Sequence, residues 1–81
     1  MATDAVNLYE AKKNGVFTVV STPEIDLLEN LGVRAGASIC LQNRYAFGGP
    51  VVLLIEDAYS VALGKDIASQ ITVQEGAEYE P

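Results

Sequence analysis

Five apolar residues in a row, Val51-Val52-Leu53-Leu54-Ile55, set the tightest constraint on the fold of this chain. Three are β-branched, and the run is bounded by Gly48-Gly49-Pro50 before it and Glu56-Asp57-Ala58 after it. A buried helix would need about 10–12 residues, so the run reads as a strand covered on both faces. In a chain of 81 residues, such a strand implies a closed or nearly closed barrel around it. Tyr59 to Leu63 follows closely enough to be its antiparallel hairpin partner.

Composition bounds the function. The length allows one domain, read here as residues 7–75 with loose ends at 1–6 and 76–81. The 49% apolar fraction suffices for one core and excludes intrinsic disorder. Five Lys and Arg against eleven Asp and Glu give a net charge of −6. That balance argues against nucleic acid, which needs clustered cations, and against an anionic membrane surface. No apolar run of about 18 residues and no signal peptide are present, so the expected compartment is the cytoplasm, without membrane insertion. The chain contains no histidine, which removes the usual general base and the commonest transition-metal ligand. Its single cysteine, Cys40, has no local cation or helix start to activate it and reads as structural.

Along the chain, Asn7 can cap a helical turn over Leu8–Lys12, and Val16–Val20 is rich in strand-forming residues. Thr22-Pro23 has the chemistry of a helix start, Ile25, Leu28 and Leu31 form an apolar stripe, and Gly32 is placed to end the helix. A helix over 23–31 is therefore expected. Ile39 and Leu41 alternate with Ser38, Cys40 and Gln42, predicting a half-buried strand over 38–45. Strands are expected at 16–20, 51–56, 59–63 and 70–74 as well, with a helical turn near Ile67-Ala68 closing one barrel end. The expected core is Val19, Leu28, Leu31, Ile39, Leu41, Val52, Leu54, Val61, Leu63, Ile71 and Val73.

No enzyme constellation emerges. Gly48-Gly49 is followed by neither Lys-Ser/Thr nor a helix, so it lacks the parts of a phosphate loop and is a turn. Phe47 either projects from that turn as a contact residue or packs back on the barrel. With Tyr45, Gly48, Gly49 and Leu27 at the helix edge, it makes up the candidate partner-binding set. No residue is assigned to catalysis, to a metal or to a cofactor.

The element order suggests a mainly β, SH3-like barrel of about five strands, with one helix between the first two and a helical turn before the last. Leu28-Glu29-Asn30-Leu31-Gly32-Val33, Gly36, Arg44, Gly48-Gly49-Pro50-Val51 and the ending from Val61 to Val73 together resemble the FeoA family of ferrous iron transport accessory proteins. Two turns depart from the family's habit: Ala35 stands where proline is frequent, and Gly49 stands in place of the aspartate of Gly-Asp-Pro. The resemblance implies a cytosolic, non-enzymatic protein that supports FeoB, a membrane iron permease with a cytosolic GTPase domain. Two alternatives remain at this stage. One is a module like the C-terminal domain of iron-dependent repressors; the other is a small metal chaperone acting through carboxylates.

Overall fold

The computed structural model describes residues 5–75. The expected loose ends at 1–4 and 76–81 lie outside the described residues. The elements are β1 (Ala5–Asn7), a 3-10 turn (Leu8–Glu10), β2 (Val16–Ser21), α1 (Asp26–Leu31), β3 (Ser38–Arg44), β4 (Val51–Ile55), β5 (Tyr59–Leu63), α2 (Lys65–Ala68) and β6 (Thr72–Glu75). The mainly β architecture matches the expectation, with six strands rather than five, in one antiparallel sheet ordered β1-β6-β2-β3-β4-β5. The added strand is β1. Ala5 and Val6, read from sequence as part of a patternless end, pair with Gln74 and Val73.

The chain turn after β1 forms as its residues suggest. Asn7 caps the 3-10 turn by accepting the Tyr9 N–H, and Leu8 is buried beneath it. The helix α1 is shorter than expected. Thr22 does not cap it: the N-cap position is Ile25, in extended conformation with no side-chain bond, and Pro23 lies outside the helix. Ile25 instead donates its N–H to the Pro23 carbonyl, so the Pro23 region forms a separate turn first. The helix end follows its sequence. Gly32 has φ +86° and donates to Glu29 O while Val33 donates to Leu28 O, the paired bonds of a Schellman cap. Leu28 and Val33 are both buried in the core cluster, as the apolar positions flanking such a cap.

One buried cluster holds the strands together. It joins Leu8, Phe17, Val19, Leu28, Ile39, Leu41, Leu63, Ile71 and Val73, with Val61 and Leu31 half-buried against it. The choice of face on β4 is reversed from the expected one. Val51, Leu53 and Ile55 are fully buried, whereas Val52 and Leu54 are half-exposed. The pairing explains this: Ile55 lies opposite Ile39 and Leu53 opposite Leu41, so the inward face of β3 selects the odd-numbered residues of β4. The other face of β4 is thus half-covered rather than closed over.

Candidate functional site

Residues 45–50 join β3 to β4 around a tight turn, Ala46 to Gly49, and its shape decides what Phe47 does. Gly49 N–H donates to Ala46 O at 3.2 Å, and Tyr45 N–H donates to Pro50 O at 3.0 Å. The central residues Phe47 and Gly48 both have positive φ, +61° and +77°, the twist that suits a hairpin. Glycine adopts this region freely, but phenylalanine there costs about 1–2 kcal/mol. Gly49 is needed for a different reason: a Cβ on it would lie 2.8 Å from the Tyr45 Cβ.

The turn is fastened from beneath by residues distant in sequence. Tyr9 Oη donates to Gly49 O at 2.8 Å, and the Lys65 ammonium sits 5.5 Å from the centre of the Tyr9 ring. Arg44 donates from Nη1 to the carbonyls of Tyr9 and Ala11, at 3.2 and 2.6 Å, tying the 3-10 turn to the end of β3. Sequence reasoning did not select Tyr9 or Lys65. Partners 40 residues apart leave no local spacing signal.

On this base Phe47 is completely exposed, at 105% of its reference area, and Tyr45 is half exposed. Of the two orientations open for Phe47 in the sequence, the outward one is observed. Leu27 is also exposed, at 50%, but it is not part of the same surface. It belongs to α1, whose last carbonyl, Leu31 O, accepts a 2.6 Å bond from Tyr59 Oη at the far end of β4. The structure therefore gathers Tyr45, Phe47, Gly48 and Gly49 at one end and leaves Leu27 at the other.

The helix end carries an open cleft of about 650 Å³ lined by Thr22, Pro23, Glu24, Ile25, Asp26, Glu29, Arg34 and Ala35. Its carboxylates do not converge: among the described residues, no three of Asp, Glu and Cys come together as a metal-holding group. Cys40 is half-buried on the outer face of β3, opposite Val16 and Leu54. Among the described residues, no helix is long and apolar enough to cross a membrane.

The fold is similar to several solved structures. An iron uptake regulatory protein (FeoA) superposes with a TM-score of 0.80 at 23% identity, covering 89% of this chain and 97% of that one. A FeoA-like protein from Clostridium acetobutylicum gives 0.76 at 24% identity, covering 100% and 96%. A manganese-dependent transcriptional repressor gives 0.80 at 20% identity over 93% of this chain, which spans only 44% of the repressor. No curated protein matches the chain. The family model of the FeoA domain matches residues 6–75, nearly the whole length, and the chain belongs to the FeoA family.

Proposed function

We propose that this chain is a non-enzymatic accessory protein of ferrous iron uptake that works in the cytoplasm by docking on the cytosolic GTPase-bearing part of a FeoB-type permease. The docking element is the β3–β4 turn, with Phe47 as the anchor, Tyr45 beside it and Gly48-Gly49 setting its shape. One observation carries the assignment: Phe47 is wholly exposed on a backbone conformation that phenylalanine disfavours. It gives nothing to the core and costs the turn stability, which is the signature of a residue kept for contact. Leu27, at the opposite end of β4, makes no part of that anchor.

Burying one exposed aromatic in a partner pocket commonly accounts for about 2 kcal/mol or more of an interface, whereas a rim carboxylate contributes little. Calorimetric titration of the permease's cytosolic part should therefore show Phe47→Ala weakening binding about 30-fold or more, with the melting temperature kept. Glu29→Gln, in the cleft at the other end, should bind as the parent does. A folded Phe47→Ala variant with unchanged affinity, or a parent protein that does not associate, overturns the reading.

Iron itself is expected to pass this protein by. First-row metals favour imidazole and thiolate, and the chain has no histidine and one cysteine. Anaerobic calorimetry with Fe(II) should show no site tighter than about micromolar. A stoichiometric nanomolar site would make the chain a metal carrier instead.

A further inference from the structure

Among the described residues, the sheet ends on β5. β4 alternates between its neighbours, and one bond fixes which residues face which. Glu56 N–H donates to Ser38 O at 2.8 Å, so Leu54, two residues back and opposite Cys40, also bonds toward β3. Val51, Leu53 and Ile55 then bond to Leu63, Val61 and Tyr59 of β5. This leaves Ser60 and Ala62 directing their N–H and C=O groups away from the sheet. Neither backbone has a further bond among the described residues, and no strand there lies beyond β5.

Exposed edges normally carry a lysine, a proline, a bulge or a short strand as a guard. The opposite edge, β1, is three residues long. β5 has five residues, Tyr-Ser-Val-Ala-Leu, with no charge or proline and an unbroken register against β4. Ser60 and Ala62 are small and exposed.

We propose that β5 pairs with β5 of a second copy, antiparallel about a two-fold axis through Val61. In that register Ser60 faces Ala62 of the copy and Ala62 faces its Ser60, giving four backbone bonds. A shift of one residue either way moves one of these pairs off the strand or onto its end. The same register sets Val61 opposite Val61, where side chains in a non-bonded pair come closest. The edge is thus complementary to itself in hydrogen bonding and in the small side chains beside it.

The test uses the full chain. For a dissociation constant of about 0.1 mM, sedimentation velocity should show monomer at about 10 μM and mostly dimer at about 1 mM. Over that range, amide exchange should slow about fourfold at Ser60 and Ala62, since only monomer exposes them. Ala62→Pro removes an outward N–H without touching a bond to β4, and should weaken the dimer at least tenfold. Ala62→Lys, which needs no backbone change, should do the same. A chain monomeric at about 1 mM, or a dimer indifferent to both Ala62 variants, overturns the proposal.

Discussion

The two turns that flank β4 share a backbone and differ in what they do with it. At one end Phe47 and Gly48 have positive φ; at the other, Glu56 and Asp57 do, at +52° and +60°. The lower turn, at Glu56-Asp57, spends its groups on the protein itself. Ala58 donates to Ile55 O, Glu56 N–H donates to Ser38 O, and the Glu56 carboxylate accepts the Ser38 N–H. Tyr59, just after it, reaches Leu31 O, and there Gly32 leaves room: a Cβ on it would lie 2.3 Å from the Tyr59 hydroxyl. The upper turn, around Phe47, is held by Tyr9 and the Tyr45–Pro50 bond, but its largest side chain is turned to solvent. One turn closes the fold, while the other leaves its largest side chain in solvent.

The strand between the turns offers the largest effect with which to probe this division. Leu53 is fully buried and Leu54 is not, so Leu53→Ala should cost about 2–5 kcal/mol and Leu54→Ala clearly less. Chemical denaturation of the two variants checks it; equal losses would mean that the face of β4 is misassigned. At the lower turn, Glu56→Ala removes the bond to Ser38 and should cost about 1 kcal/mol of stability, with no change in partner affinity. If affinity falls as well, the lower turn is also a contact surface and the contrast fails. The smallest effect is expected from Glu29→Gln, within about 0.5 kcal/mol in both measurements.

Much of this architecture was legible in the residues. The alternation of β3, the span of β5 and the stop at Gly32 all follow from local chemistry, because each depends on neighbours close in sequence. Three features do not. Val51 to Ile55 is apolar throughout, so nothing in it says which face turns inward; that follows only from pairing Ile55 with Ile39. β1 is too short to show a pattern and exists through its partner β6. Thr22-Pro23 has good capping chemistry, but the backbone uses it for a turn, and the helix starts three residues later than expected at Asp26. The candidate site divides the same way. The turn around Phe47 was marked by its glycines, whereas its support from Tyr9 and Lys65 spans the whole fold. Nothing in the sequence sets Leu27 apart from Phe47; their places at opposite ends of β4 do.

The central claim is that Phe47 serves contact at the expense of the fold, and Phe47→Asn tests it most directly. Asparagine tolerates the left-handed region that phenylalanine disfavours, so the exchange relieves strain while removing the anchor. Thermal unfolding and calorimetric titration of the permease's cytosolic part are to be measured on the same sample. The account predicts a gain of about 0.5–1 kcal/mol, a rise of about 2–8 °C in Tm, together with an affinity at least tenfold weaker. A variant that melts higher and still binds as tightly as the parent would contradict it.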